Sequence, residues 1–243
     1  MKLFVITLAI PLFCNTVAGI WSYLILYTTV FSNSRLQPPR YKPDVFKKRF
    51  PLIALNLFIL ITFVVLGLFL AQHFSFFDME LQSPLSMTIQ FLLLILIDDT
   101  WFYWVHRTMH TTPKIYSKIH KIHHKAFQPF PLEYIYVHPL EWMVGGVGIP
   151  IGVGLILLMQ GNISIHAFWI FAFWRNFHEV DIHSGIQSRI GRFIPFYGSV
   201  EHHDQHHMKN SKGNYASTFT FWDRIMGTNL PPLEDGTPST TQS

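Results

Sequence analysis

Fourteen histidines are the most informative residues of this 243-residue chain, because most of them recur at short, fixed spacings. They lie in four segments that read "HRTMH" (106–110), "HKIHH" (120–124), "HEVDIH" (178–183) and "HHDQHH" (202–207). Chance accounts poorly for the pattern H-x-x-H-H, since a chain of this composition should contain it roughly 0.05 times, and this one contains it twice. Imidazoles gathered in this way predict metal binding.

The spacing also predicts how the rings are shared. Residues four apart on a helix point to the same side, so His106 and His110 can bind one ion. In H-x-x-H-H the outer two rings share a face and the middle ring lies about 100° away, so each triple can serve two neighbouring ions. The predicted ligands are His106, His110, His120, His123, His124, His178, His183, His203, His206 and His207.

The number of rings narrows the choice of metal. Imidazole suits zinc, copper, iron and nickel, but zinc usually takes four ligands, so ten histidines favour two ions of higher coordination number. Two redox-active irons are the prediction. The single cysteine, Cys14, excludes an internal disulfide and a cysteine-ligated cluster. His73 and His166 stand alone and are predicted to be structural.

Acidic residues close to the histidines are expected to support them, because neutral imidazoles leave the metal charge uncompensated. Asp99, Asp181 and Asp204 are predicted to accept the free ring N–H of ligands. Asp99 lies seven residues before His106, on the same helical face. Asp98 lies on another face and is predicted to tolerate substitution better.

The elements that carry these residues are predicted to be membrane helices. Only 13% of the residues are charged, against about 25% in soluble domains. Three segments are long and apolar enough to cross a bilayer, and a fourth apolar region is broken near residues 160–162 and reads as a helical hairpin. These regions are 3–31, 51–71, 85–105 and 140–177.

The loops predict one orientation. Loop 32–50 has six basic residues and one acid, whereas loop 72–84 has two acids and no Lys or Arg. The positive-inside rule puts loop 32–50, and with it every histidine segment, in the cytoplasm. The prediction is an all-α integral membrane protein with about four transmembrane segments or hairpin helices and a cytoplasmic helical cap that carries the histidines. An alternative is that the first segment is a signal peptide, cleaved after Ala18.

The expected organisation is N-terminal transmembrane helices over 1–84, a catalytic domain over 85–230 and a disordered polar tail over 231–243. The net charge of +4 comes without an arginine-rich tract, so nucleic acid is not an expected partner.

Several segments resemble the fatty acid hydroxylase/sterol desaturase superfamily, with the C-4 methylsterol oxidases as the most similar group. They are "DDTWFYWVHRTMH", "IHKIHHKAFQPF", "YVHPLE", "DIHSG", "IPFYGSVEHHDQHH" and "GNYASTFTFWDRIMGT", within about residues 90–228. The resemblance implies a histidine-ligated di-iron oxidase and matches all the predicted ligands except His178, a position where related hydroxylases have a histidine. His138 and His202 also match and are expected to support the ligands.

The resemblance implies an oxygenase with two irons (Fe2+/Fe3+), O2 as co-substrate and a membrane lipid as substrate. Electrons are expected from a separate protein, which is cytochrome b5-like, ferredoxin-like or an NAD(P)H-linked reductase, because the sequence has no G-x-G-x-x-G or heme motif. The expected location is the endoplasmic reticulum in a eukaryote or the inner membrane in a bacterium. Five aromatic residues are expected to line the lipid path or to anchor the chain at the interface. They are Phe127, Phe130, Tyr134, Tyr136 and Trp142.

Two alternatives stay open. The same metal centre could hydroxylate or desaturate a fatty acyl chain or another position of a sterol. A protein of another class, a transporter or a sensor, could hold metal without catalysis, although transporters keep their ligands near the bilayer midplane.

Overall fold

The computed structural model describes residues 2–38, 41–208 and 212–231, and most of them are helical. The predicted disordered tail lies outside these residues, apart from Pro231. The α-helices are α1 (Lys2–Tyr27), α2 (Val45–His73), α3 (Pro84–Thr111), α4 (Pro113–Lys118), α5 (Pro139–Gly145), α6 (Gly148–Gln160), α7 (Ile165–Ile182), α8 (Val200–Met208) and α9 (Phe221–Ile225). Short 3₁₀ helices cover Ser32–Ser34, His120–Lys125, Pro131–Ile135 and Ile190–Arg192, and the strands β1 (Phe77–Asp78) and β2 (Ile163–Ser164) have two residues each.

The prediction of an all-α membrane protein is confirmed. Four stretches are long and apolar enough to cross a bilayer, namely α1, α2, α3 and the pair α5–α6. Large apolar side chains on them face outward, such as Phe58 (69% exposed) and Leu158 (86% exposed). Lipid is the environment that makes such exposure favourable.

The predicted break in the fourth apolar region is also confirmed. α6 ends where Gly161 adopts a positive φ of 80°, a conformation that glycine adopts without steric cost. Ser164 then caps α7, accepting a hydrogen bond from the N–H of Ala167. In the same turn β2 pairs in parallel with β1, and Phe77 lies opposite Ile163. The loop after α2 and the tip of the hairpin therefore meet at one end of the bundle.

α3 is the central helix, packed against both α6 and α7. Its contact with α6 is close because glycines face it: a Cβ on Gly148 would lie 2.7 Å from Asp98 Oδ1, and one on Gly152 would lie 3.2 Å from a methyl group of Leu94. Arg175 of α7 donates a hydrogen bond of 2.7 Å to Asp98 Oδ2. This ion pair, in which Asp98 is buried and Arg175 is partly buried, joins α3 to α7.

The cap is attached to the N-terminal helices through segment 131–137. The buried amide of Asn56, on α2, donates to the carbonyl oxygens of Ile135 and Val137, both at 2.8 Å. The hydroxyl of Ser22, on α1, accepts from the N–H of Leu132 at 3.0 Å. Because lone polar groups are costly in an apolar bundle, these bonds fix where the cap sits.

Loop 32–38 lies at the histidine end of the bundle. The N–H of Leu36 donates to the carbonyl of Gly185 at 3.0 Å, and the Gln37 amide donates to Asp204 at 2.8 Å. The start of the basic 32–50 loop and the last histidine segment therefore share one end, as the topology argument requires.

Candidate metal centre

Four local elements bring the histidines to one place. The last two turns of α3 carry His106 and His110 on one face, as the four-residue spacing predicts. The 3₁₀ helix His120–Lys125 and α8 carry the two triples. His183 is the residue that directly follows α7.

Nine of the ten predicted ligands fall into two groups, and within each group the nearest ring nitrogens all lie within 4.8 Å of one another. The two groups adjoin, since the ring centroids of His124 and His207 are 5.0 Å apart across the boundary. The first group is His106, His110, His120, His124 and His206, and the second is His123, His183, His203 and His207.

Each H-x-x-H-H triple is divided between the groups. In the first triple the outer rings, His120 and His124, belong to the five-histidine group, and the middle ring, His123, belongs to the four-histidine group. In the second triple the assignment is reversed, so that His206 alone joins the five-histidine group. The two triples thus contribute to both groups in complementary fashion.

Within each group the Nε2 atoms face one another. In the five-histidine group, Nε2 of His120 lies 2.7 Å from that of His110, 3.2 Å from that of His106 and 3.0 Å from that of His124. In the four-histidine group, Nε2 of His203 lies 3.0 Å from that of His183 and 3.1 Å from that of His207. Such distances require either a shared proton or a cation.

Hydrogen bonds on the far side of the rings decide between these two. The Nδ1 atoms of His106, His183 and His206 lie 2.7, 2.8 and 2.8 Å from the carbonyl oxygens of Tyr215, Glu179 and Gly213. A carbonyl oxygen only accepts, so Nδ1 carries the proton of each neutral ring and Nε2 is a bare lone pair. Lone pairs that converge at these distances repel one another, and a cation between them removes the repulsion.

The protonation equilibria favour metal binding as well. Burial holds the pKa of His203, His206 and His207 well below the usual range, and the neighbouring rings lower it further. These imidazoles are therefore neutral near pH 7, which is the form that binds metal. His206 Nε2 is buried and has no hydrogen-bond partner among the described residues, which also fits a position reserved for an ion.

One carboxylate that holds a ligand ring was missed in the sequence. Glu141 Oε1 lies 2.8 Å from Nδ1 of His120, so it accepts the ring proton and offsets metal charge. Glu141 is 21 residues away in sequence, and no local spacing could have identified it. Its only sequence signal is its position beside His138 in "HPLE".

A second missed residue, Asp223, organises the loop that supplies two of the carbonyl groups. Its carboxylate is fully buried and accepts hydrogen bonds from the N–H of Tyr215 at 3.0 Å and of Ala216 at 2.9 Å. The hydroxyl of Thr228 donates to the same carboxylate at 2.6 Å. A Cβ on Gly213 would lie 2.3 Å from the carbonyl oxygen of Thr228, so only glycine fits there.

The structure corrects the role expected of Asp99. Its Oδ1 accepts from the N–H of Thr218 at 2.8 Å and of Phe219 at 3.4 Å, and its Oδ2 has no hydrogen-bond partner among the described residues. Asp99 therefore holds the loop after the metal-site carbonyls instead of a ring N–H. Asp98, expected to be the more tolerant residue, forms the ion pair with Arg175.

Asp181 and Asp204 are also bonded elsewhere than to the rings. Asp181 accepts from the hydroxyl of Tyr197 at 3.0 Å, and Asp204 accepts from the Gln37 amide. Both partners lie in loops, so the two carboxylates bind loop side chains and not the rings. Both stabilise the cap and not an imidazole directly.

The remaining predicted residues lie around the groups. His138 caps α5, accepting a hydrogen bond of 3.1 Å from the N–H of Leu140. His202 Nε2 lies 3.3 Å from Asp223 Oδ2, so it supports the loop and through it the ligands. His178 belongs to neither group, and its Nε2 lies 3.2 Å from the carbonyl oxygen of Gly198.

The aromatic residues expected along a lipid path are mainly interior. Phe130 and Tyr134 are buried in a hydrophobic cluster with α1 residues, and Tyr136 and Trp142 pack against that cluster. The hydroxyl of Tyr134 donates to Asn15 on α1 at 3.0 Å. Phe127 is half-buried. In this structure most of the set joins the cap to the membrane helices.

Comparisons with known proteins agree with the site. The fatty acid hydroxylase family model matches residues 91–228, which contain all nine grouped histidines. Methylsterol monooxygenase 1 of Rattus norvegicus is 45% identical over 136 residues, which cover 55% of this chain and 44% of that protein. The C-4 methylsterol oxidase of Candida albicans is 37% identical over 150 residues, 60% of this chain and 48% of its own length.

A methylsterol monooxygenase of Aspergillus fumigatus is 35% identical over 167 residues, 65% of this chain and 55% of its own. The chain thus spans about half the length of the curated relatives that it matches. No solved structure matches.

Proposed function

Because the chain belongs to the fatty acid hydroxylase family, we propose that it is a membrane-bound di-iron oxygenase that oxidises a C–H bond of a sterol or related lipid. The preferred reaction is oxidation of a C-4 methyl group, the position named in the C-4 methylsterol oxidase of Candida albicans. The overall balance is RH + O2 + 2 H+ + 2 e− → ROH + H2O, with the electrons supplied by another protein.

The two adjoining histidine groups carry this proposal. They offer nine imidazoles in all, and the five-histidine group exceeds the four ligands that structural zinc uses. Imidazole is a suitable ligand for iron. Two bound irons would supply the activation of O2. Adjoining sites of this kind suit a reaction that needs two metals at one substrate position.

The chain's own residues have three tasks in this reaction. The carbonyls of Tyr215, Glu179 and Gly213 hold rings with Nε2 free for metal. The Glu141 carboxylate does the same for His120 and balances charge. Burial of eight of the nine grouped rings limits the access of water, which protects a strongly oxidising centre from side reactions.

The groups lie at the end of the membrane helices, because His106 and His110 are in the last turns of α3. A lipid whose polar end stays at the interface could reach them from the bilayer. This position also argues against transport, which requires ligands near the midplane. The proposed location is the endoplasmic reticulum membrane, since the relatives reported above come from an animal and fungi.

The test combines metal analysis with isotope labelling. The protein in nanodiscs is expected to contain two irons per chain. After anaerobic reduction with dithionite and removal of the excess, admission of 18O2 should convert bound 4-methylsterol in a single turnover to a hydroxymethyl product that carries one 18O atom. His206→Asn and His207→Asn, one from each group, should each lower turnover by at least about 100-fold. His73→Asn is the matched control, because His73 is exposed and lies on α2.

The alternatives give different results. Loss of two hydrogens without 18O incorporation would indicate a desaturase, and conversion of fatty acyl chains only would indicate a fatty acid hydroxylase. Exchangeable zinc with no lipid oxidation would contradict the proposal and favour a transporter or sensor.

A further inference from the structure

The surface beside the five-histidine group is strongly basic. Residues 100–132 contain no Asp or Glu, whereas Lys and Arg occur there five times. The four lysines of this stretch are exposed, and so is Lys212 from the loop after α8. We call these five residues the lysine face: Lys114, Lys118, Lys121, Lys125 and Lys212.

Three residues of the lysine face border an opening that leads to the predicted ligands. A cavity of about 500 Å³ is bordered by Lys121, Lys125 and Lys212 at its rim. Deeper in, it reaches His110 and His124, which both belong to the five-histidine group. Positive charge is therefore concentrated where the metal ligands come nearest to the surface.

This face is polar as well as basic. Among the described residues of 105–139 and 197–224, no large apolar side chain is largely exposed. Exposed apolar side chains begin directly outside these stretches, with Trp104 and Leu140 at the ends of the first and Phe196 and Ile225 at the ends of the second. A surface that enters the headgroup region usually presents apolar anchors beside its lysines, so this face is better suited to a partner in the aqueous phase.

We propose that the lysine face is the docking site of an acidic electron-donor protein. The proposal rests on the proposed function, in which O2 takes two electrons from the C–H substrate and two from the donor in each turnover. Each donor molecule that is oxidised supplies one of the latter two. The cavity is too small for a protein, so the donor sits on the rim with its redox group directed at His110 and His124. Clustered charge of one sign increases the association rate of an oppositely charged partner and orients it.

The experiment uses the full chain in phosphatidylcholine nanodiscs and, as the probe, the acidic heme domain of a cytochrome b5. The variant Lys121→Glu/Lys125→Glu reverses two charges at the rim. The control Lys42→Glu/Arg189→Glu makes the same change in net charge at exposed residues outside the lysine face. The product yield of a single turnover, after anaerobic reduction with dithionite and removal of the excess, normalises each preparation for folded, metal-loaded protein.

For the rim variant we expect the KM for the heme domain to rise by about tenfold or more, with a much smaller change in kcat. The control should keep the KM of the unaltered protein. Raising the ionic strength from about 0.05 to 0.3 M should increase the KM of the unaltered protein and leave that of the rim variant nearly constant, because salt screens the attraction between exposed charges.

An unchanged KM in the rim variant, or an equal rise in the control, would overturn the proposal. So would a rim variant that keeps its KM but loses binding to phosphatidylserine vesicles, since the face would then bind anionic lipid. If dithionite drives no lipid oxidation in the unaltered protein, the proposed function fails. Docking is then judged by salt-sensitive co-sedimentation of the heme domain with the nanodiscs, which must be lost in the rim variant alone.

Discussion

Replacement of Asp223 by asparagine should disturb the loop that orients the imidazoles while it leaves every predicted ligand in the chain. The carboxylate accepts on both oxygens: Tyr215 N–H and Thr228 O–H donate to Oδ1, and Ala216 N–H donates to Oδ2. Asparagine offers one oxygen and one NH2 group, so one backbone N–H would face another donor. The loop loses one charge-assisted hydrogen bond and retains a buried unsatisfied donor, a cost of about 2–4 kcal/mol.

The loss should reach the metal centre through two carbonyl groups. The carbonyl oxygens of Tyr215 and Gly213 accept hydrogen bonds from Nδ1 of His106 and His206. If the loop is displaced, nothing keeps the ring proton on Nδ1, and Nε2 is no longer held free for metal. Loss of such supports typically weakens metal binding by about 10–100-fold, which is about 1.4–2.7 kcal/mol.

Burial alone would raise the pKa of Asp223, but the adjacent His202 ring and the hydrogen bonds from Thr228 and the backbone outweigh it, and the pKa lies below the usual range. Because this pKa is lowered, the ionised carboxylate adds to the free energy of unfolding at every pH above its unfolded-state pKa. That contribution is lost as the pH falls through the folded-state pKa. The Asp223 contribution should therefore be constant from about pH 5 to 8.

The assay is competition between the purified protein and a chelator for Fe2+, and for Co2+ as a spectroscopic probe of ligand geometry. Asp44→Asn is the control, because Asp44 makes only an exposed ion pair with Lys48 and such pairs contribute little. Equal metal affinity and an equal Co2+ spectrum in Asp223→Asn and the unaltered protein would refute the reasoning.

Three further predictions follow from buried carboxylates. Asp98→Asn should destabilise the bundle more than Asp99→Asn, by about 3–5 kcal/mol, because Arg175 loses its buried partner; thermal unfolding in detergent compares them, and equal midpoints would contradict this order. Glu141→Gln should weaken iron binding by about 10–100-fold and change the Tm of the metal-free protein little, as chelator competition and calorimetry would measure. Burial raises the pKa of Asp204 to about 7, so the folded metal-free protein retains a proton there that the unfolded chain releases from about pH 4 to 7. This group therefore opposes the gain in stability that the buried imidazoles, with their lowered pKa values, bring as the pH rises. Asp204→Asn should make the rise of Tm with pH steeper, and an unchanged slope would contradict this.

Features that depend on local geometry could be predicted from the sequence. The H-x-x-H-H spacing places one ring about 100° from the other two, and the structure sends His123 and His206 to the opposite group from their neighbours. The hairpin break likewise follows from Gly161 and its polar neighbours, because glycine accepts the positive φ that ends α6.

Features that depend on tertiary closure could not be predicted. Glu141 of α5 meets His120 only through tertiary packing, and no periodicity joins residues 21 apart. Asp99 and His106 do share one face of α3, but the loop at 218–219 packs beside Asp99. Its backbone N–H groups, and not a ring N–H, donate to the carboxylate. His178 shows the same limit, since its segment resembles a ligand segment while its ring contacts Gly198.

The division of the two triples has a consequence for how the centre fills. His123 and His124 are adjacent, as are His206 and His207, and in each case the two residues serve different groups. The first ion to bind therefore immobilises the backbone that carries ligands of the second, which has less conformational entropy left to lose. Metal loading should be cooperative, so that chains with two ions or with none predominate over chains with one.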